Sequence, residues 1–511
     1  MSLVVALFLA LVTRVLFWST KSTDDMVHLW NVRLRKKHGN IQSHEPLDSV
    51  VPGMRGYPTL AHWVVSLFPE DKWRLAGKSL NVGYDLVLVL LAWGTGVILF
   101  PEKVDGVSLP FLIAVLVATS PSLLPVTSRI KSMGGRTLGN LLVFGYFNAL
   151  WFGLYGFPVF GVIASVICFL LVVLSSKFAL QAILFMTPLV ALFSLSMFPL
   201  LVLCVSIAAT FLVPGLGLRE VLGFMYAHSR WYHRNSHIGT TASARNRWAD
   251  IRDLPMYFKS NKDVFWGILF RRSSYFIGLY SFPLVWFVFL WLGQGGDEMG
   301  YITYAAYTTI ASFCIFLLTS LKPFLFLGQA ERYLEYVVPF ASVVGVATFS
   351  QGLISMDVMY GLVFFQLSMT LINCIYSNYA QVKQAIAKPT PSAVQAFLDM
   401  SSGFSVLTIP TKFAHEFSSM RGPNTFYYRA INTPKNGLLY KEEDYAWFEM
   451  PREDLTHFYI KYGVDTVIVH KPFLSKAQER GLDYKLEQYS VLYEDDAYLV
   501  VSIVSELNHM E

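Results

Sequence analysis

Charge is scarce in this chain of 511 residues. Only 15% of them are Asp, Glu, Lys or Arg, against about 25% in an average globular domain. A disordered or solvating chain is excluded by that deficit. Because 54% of the residues are hydrophobic, an ordinary soluble multidomain enzyme is excluded too. Cysteine is nearly absent: Cys168, Cys204, Cys314 and Cys374 are the whole complement, and each falls inside an apolar run. No hydrophilic segment carries a thiol, which removes a disulfide scaffold and a thiolate metal site. What is present is a series of long apolar runs alternating with ordinary charged stretches. That is the pattern of a chain crossing a membrane many times. The 40 Phe, 27 Tyr and 12 Trp suit a helical bundle with interfacial aromatic belts.

A spanning helix needs about 20 mostly apolar residues. The sequence predicts eleven, at about 2–18, 82–100, 107–125, 138–155, 157–175, 178–195, 197–214, 274–292, 301–319, 334–350 and 355–376. The first has no basic n-region and no small-residue cleavage site, so it reads as a retained helix rather than a secretory signal. Eleven spans put three long hydrophilic pieces on one face: loops 19–81 and 215–273, and the tail from 377. Nearly all cations lie on that face, whereas Lys103 falls in a loop of the other. The naive positive-inside rule would make the crowded face cytoplasmic. Cations that serve an anionic ligand at the membrane surface would place it outside.

The expected organisation is a transmembrane part over 1–376, a linker over 377–394 and a soluble α/β domain over 395–511. Lys388-Pro-Thr-Pro391 marks the linker, since proline cannot continue a helix. Phe404 to Pro410 reads as a strand and Lys412 to Met420 as a helix. Asp454 to Tyr462 reads as a second helix closed by Gly463. Val464 to His470 reads as a buried strand, and Tyr489 to Ile503 as a hairpin around an acidic turn. The domain has no Gly-rich phosphate loop and no nucleophile elbow. A cap that packs on the loops is the expected role.

Asp24 and Asp25 follow directly on the first span. Adjacent carboxylates at a membrane interface carry a desolvation cost and invite a functional explanation. One reading is helix capping by Thr23 or Asp24, with the dipole favouring acids in the first turn. The other is a general base held just above the bilayer, with the second acid as hydrogen-bond partner. Further on, Tyr57-Pro58 fixes an extended approach to Trp63.

Arg14 in the first helix, the Asp24-Asp25 pair and Tyr57-Pro-Thr-Leu60 together resemble the opening of the GT-C glycosyltransferases. These integral membrane enzymes include the protein mannosyltransferases and the aminoarabinose transferases of lipid A. Lys322-Pro and Glu331-Arg-Tyr-Leu-Glu-Tyr-Val-Val-Pro339 are similar to a late segment of that superfamily. The tail, notably Lys461 to Val469, resembles the extracytoplasmic domain of many bacterial members.

The resemblance implies a polyprenyl-phosphate-linked sugar donor and transfer, with inversion, to an acceptor hydroxyl of a lipid, glycan or protein. It places the reaction on the outer face of the cytoplasmic membrane. Asp24 matches the catalytic aspartate and Asp25 the second acid; His28 stands where many members have Tyr. A lipid phosphate leaving group calls for cations in a dehydrated cavity. Arg332 is the first choice, then Lys322, then Arg55, with Tyr57 and Tyr333 beside them. Arg332 could equally pair with Glu331 or Glu335 as an interfacial anchor.

Arg129, Lys131 and Arg136 stand where many relatives carry a second acid. They read either as a phosphate or acceptor contact or as a solvated patch. In the loop over 228–237, Trp231 and Tyr232 suit stacking on sugar faces, with His233 beside them as an acceptor or loop contact. His233 and His237 are four residues apart, but no carboxylate stands between them as a catalytic zinc motif requires. A divalent metal is not favoured and nucleic acid is not expected. The rival classes are a lipid-linked glycan transporter or flippase and a non-catalytic assembly protein.

Overall fold

The computed structural model describes residues 3–18, 25–39, 50, 58–100, 103–104, 106–123, 133–213, 221–223, 225–226, 229, 247–269, 274–295, 300–327, 330–386, 392–400, 403–418, 424–427, 444–447, 450–479 and 481–504. The chain divides into two units. One takes Met1–Ser22, Pro58–Leu218 and Thr241–Gln381; the other takes Thr23–Tyr57, Arg219–Thr240 and Val382–Glu511.

The first unit is helical. It opens with α1 (Leu3–Val15); α2 (Asp25–His38) belongs to the second unit. Then follow α3 (Leu60–Ser66), α4 (Trp73–Leu99), α5 (Leu109–Thr119), α6 (Arg136–Leu154), α7 (Pro158–Ser175), α8 (Lys177–Phe193) and α9 (Phe198–Leu212). A two-residue ladder, β1 (Lys103–Val104) with β2 (Val107–Ser108), precedes α5. After α10 (Arg247–Ser260) and α11 (Lys262–Gly267) come α12 (Ser274–Ser281), α13 (Val285–Gly293), α14 (Tyr301–Thr319), α15 (Glu331–Leu334), α16 (Val338–Ser350) and α17 (Met356–Ile386).

Among the described residues six helical stretches are long and apolar enough to cross a membrane: Glu70–Leu99, Arg136–Leu154, Pro158–Ser175, Tyr301–Thr319, Glu331–Ser350 and Met356–Tyr376. Leu3–Val15, Leu109–Thr119, Lys177–Phe193 and Phe198–Leu212 are apolar but shorter. The stretch 274–292, expected as one span, breaks at Pro283 into α12 and α13, because proline offers no amide to continue the ladder. Among the described residues the count of eleven full-length spans is therefore not confirmed. Pro110, Pro158 and Pro199 sit in the first turns of α5, α7 and α9, where a missing N–H removes no bond.

Glu331–Ser350 is 94% buried inside the protein, whereas Pro158–Ser175 is 33% buried. The former is thus the central element: past its charged first turns, Val338 to Phe349 are buried on every side, as an enclosed apolar helix is. The outer helices show bare Phe157, Val159, Phe160 and Ile163. Helices α6 and α7 meet backbone to backbone: a Cβ on Gly161 would strike Gly153, the close approach that small residues permit in membrane bundles.

The second unit is built on a five-stranded sheet in the order β4 (Thr425–Phe426), β3 (Ser405–Ile409), β7 (Thr466–His470), β9 (Tyr498–Ser502), β8 (Ser490–Glu494). Strand β3 runs parallel to β4 and β7. Strands β7, β9 and β8 pair antiparallel. A separate pair joins β5 (Tyr445–Trp447) to β6 (Met450–Pro451). Alternation along the strands serves two cores. Leu407, Ile409, Val467 and Val469 face one, with Phe458 of α20 (Thr456–Tyr462), which Gly463 closes at φ +66.

Val406, Ile468 and Val500 face the other core, with α18 (Ser392–Met400) and α19 (Ala414–Ser418). Trp30 and Leu34 of α2 complete that second core. Val50 donates its amide to the Phe426 carbonyl at 2.8 Å. Two pieces of the first hydrophilic loop are therefore built into the same unit as the tail.

Candidate active site

Helix α2 carries the described part of the acidic segment. At 3.6 residues per turn, its residues fall on three faces. Trp30, 1% exposed, and Leu34 sit on the apolar core of the tail. Lys36 and Lys37 are exposed. The third face holds Asp25, His28, Val32 and Arg35, all buried, with Asn31 at its edge. Asn31 spends its side-chain amide on the Val27 carbonyl at 2.8 Å. Asp24, Arg55 and Tyr57 lie outside the described residues. Arg35 was not singled out in the sequence. It is 2% exposed, and Nη1 has no hydrogen-bond partner among the described residues. Burial pulls its guanidinium down to about 10.

In the helical unit, the starts of α6, α8 and α15 meet at one end of the bundle. Arg136 opens α6 and binds one oxygen of buried Glu335, through Nε at 2.7 Å and Nη2 at 2.6 Å. Asn140, one turn on, donates to the Glu335 carbonyl at 3.1 Å. Arg332 is half-buried, its guanidinium 4.1 Å from the centre of the Phe178 ring. Lys177 approaches the same ring at 5.1 Å. Cations over an aromatic face are held by the ring quadrupole. Tyr333 is buried; its carbonyl accepts from Ser312 at 2.7 Å, and its hydroxyl has no partner among the described residues. Lys322 opens a short 3₁₀ turn, Lys322–Leu327; its side chain lies outside what the structure describes. Of the expected cations, the structure thus brings Arg136 and Arg332 to one bundle end. It adds Lys177, whose signal was its place directly before an aromatic at a helix start.

Deeper in the same unit, Arg14 Nε lies 3.2 Å from Asp85 Oδ2. Arg14 Nη1 donates to Thr13 Oγ1 at 2.9 Å and to the Ala118 carbonyl. Thr119 donates to Gln366 at 2.7 Å nearby. Asp85 in α4 thus supplies a counter-charge to Arg14 inside the bundle.

In the tail, Asp444 is the hub of a hydrogen-bonded cluster. Its Oδ1 accepts from Lys461 Nζ at 2.8 Å and lies 2.8 Å from His457 Nε2. Its Oδ2 accepts from Tyr427 at 3.1 Å and Tyr462 at 2.5 Å. Burial acts to raise this carboxyl, but the bonds from Lys461, Tyr462 and His457 and the Lys461 charge outweigh it and hold it below the usual carboxylate range. Every lone pair is occupied, so the cluster ties β5 to α20. Arg129, Trp231, Tyr232 and His233 lie outside the described residues. Among the described residues no three His, Cys, Asp or Glu side chains come together as a metal site would need.

No protein-family model matches the sequence, and no curated protein does. Solved structures do match in fold. The crystal structure of the Archaeoglobus fulgidus oligosaccharyltransferase in complex with Zn and sulfate aligns with 98% of this chain and 72% of its own, at 13% identity and TM-score 0.50. The same protein tethered to an acceptor peptide containing the NVT sequon aligns with 98% of this chain and 73% of its own, at 13% identity and TM-score 0.51. The archaeal oligosaccharyltransferase AglB from Archaeoglobus fulgidus, in complex with an inhibitory peptide and a dolichol-phosphate, aligns with 96% and 72%, at 12% identity and TM-score 0.50. That protein is a glycosyltransferase of the GT-C superfamily. The fold of this chain is therefore of the GT-C type, in agreement with the resemblance read in the sequence.

Proposed function

We propose that the chain is a membrane glycosyltransferase that moves a sugar from a lipid-phosphate-linked donor to an acceptor hydroxyl. The observation that carries this reading is fold likeness over nearly the whole chain to a transferase held with a dolichol-phosphate, together with the acid pair that leads into α2. In this reading Asp24, with Asp25 beside it, takes the proton of the attacking hydroxyl, and the anomeric carbon inverts. A positioned base contributes about 10²–10⁴-fold. Negative charge develops on the departing lipid phosphate, and a fixed cation stabilises it more in a dry site than in water. Arg332, backed by Lys177, is the favoured cation, with Lys322 and Arg55 next and Tyr57 and Tyr333 lining the site. His28, Arg129, Arg136, Trp231, Tyr232 and His233 are assigned to acceptor or loop contacts. The donor lipid is a polyprenyl phosphate. The long loops and tail face outward from the cytoplasmic membrane, because both donor and lipid surface require cations there.

The test is transfer by purified protein in lipid nanodiscs, using membrane-extracted lipid-linked sugars and following labelled product. Asp24→Asn or Asp25→Asn should lower the rate about 10²–10⁴-fold, while Arg332→Gln should weaken use of the donor. Undiminished transfer by both aspartate variants would sink the base assignment.

A carrier is the second reading, favoured by the Arg14–Asp85 pair inside the bundle, since intramembrane ion pairs often mark transport pathways. Loss of lipid-linked sugar flux in Asp85→Asn vesicles, with transfer absent in wild type, would select it.

A further inference from the structure

We propose that Arg35 anchors an oxyanion-binding subsite on the face of α2 that also holds Asp25, and that it takes a carboxylate or phosphate group carried by the glycan or its acceptor. This deepens the transfer reading above and rests on it.

An arginine stays protonated in proteins, and a buried charge without a counter-charge strongly destabilises a fold. Arg35 is 2% exposed, yet its Nη1 finds no acceptor among the described residues. Burial is the one cause that lowers its pKa, and no carboxylate of the described residues enters. A guanidinium is a rigid fork of donors matched to two-oxygen anions, so the group that fits it is an oxyanion.

Along α2 itself the neighbouring charges are mostly cationic, while Glu416 stands on α19, which packs against the same helix. Asp25 is the lone acid of α2, while Arg33, Lys36, Lys37 and His38 follow in its last turns. Burial and then the charges of Arg35 and Lys37 push the His38 imidazole down, the mark of a positive local field. The ordinary explanation of such a cluster is compensation of the helix dipole at its C-terminus. That accounts for Lys36 and Lys37, which stay in water. It does not account for Arg35, which is buried.

Spacing then narrows the ligand. Arg35 is ten residues beyond Asp25, a rise of about 15 Å along the helix. A phosphate leaving the reacting carbon lies within a few ångströms of the attacking hydroxyl and its base. Arg35 is too far along to serve that group. It suits an anion several bonds removed from the reacting centre, such as a uronic acid or a phosphate substituent.

The experiment is calorimetric titration of the full chain in nanodiscs at fixed ionic strength. The probes are inorganic phosphate and glucuronate, with chloride and glucose as controls. Wild type should bind one probe saturably; phosphate points to a phosphorylated group, glucuronate to a sugar acid. Arg35→Gln should weaken that binding at least tenfold while leaving Tm unchanged or raised, because the unpaired charge is gone. Arg35→Lys, which keeps charge but loses the fork, should fall between. No binding of either probe to wild type, or unchanged affinity in Arg35→Gln, would overturn the subsite. A fall in Tm with affinity kept would show a structural residue and overturn it equally. Asp25→Asn should bind the probe as wild type does, so the anion subsite and the transfer chemistry fail separately.

Discussion

Arg14 and Asp85 form an ion pair across α1 and α4 with both side chains fully buried. Removing one partner strands the other in a medium that cannot solvate it, which costs about 3–5 kcal/mol, whereas two apolar residues of similar volume are often neutral. Arg14→Met and Asp85→Leu should each lower Tm sharply, and the double variant should recover most of the loss. A double-mutant cycle on full chain in nanodiscs measures the coupling. Additive effects of the two changes would show that the pair does not act as a unit.

The contact of Gly161 with Gly153 leaves no room for a methyl group. Gly161→Ala should push α7 off α6 and cost about 1–3 kcal/mol through overpacking. Gly83, within α4 and with open space where a Cβ would stand, should tolerate alanine with little change or a small gain. Thermal unfolding of the two variants side by side checks this.

Much of the tail could be read directly. Gly463 ends α20 in the left-handed conformation as a C-cap should. The two apolar runs around Asp495-Asp496 pair as a hairpin, with Asp495 Oδ1 accepting from the Ala497 and Tyr498 amides at 2.7 Å. These features are local, and local chemistry decides them. The membership of α2 in the tail's core is not local. Trp30 announces an apolar face, but nothing in the sequence says which distant residues will meet it. Asp85 was missed because a single acid in the 27 residues of α4 barely lowers their mean hydropathy. Arg35 was missed because it stands among cations that a helix end normally shows to water; only burial separates it from Lys36 and Lys37.

The Asp444 carboxyl, held below its ordinary 3.8, links tail stability to pH. A depressed folded value means that its contribution is complete above the unfolded pKa and is lost as pH falls through the folded one. Hydrogen exchange of the 444–470 region should therefore accelerate below about pH 4. Asp444→Asn should exchange faster at neutral pH and show a flatter acid response. Identical acid profiles in the two proteins would count against the hub.

Trp30→Ala removes a buried indole from the core that α2 shares with α18 and α19. The expected cost is about 3–5 kcal/mol. Transfer activity should fall alongside tail protection, because the helix that bears Asp25 loses its seat. Protease mapping and the transfer assay, run on the same preparation, test whether the two losses travel together.

Trp30 is made early in translation and Phe417 late, yet they share one hydrophobic core. Throughout most of synthesis the indole has no home. A nascent polypeptide can thread its bundle into the bilayer long before α2 finds its mooring. That core therefore closes only once α19 has been made, however early α2 itself emerges.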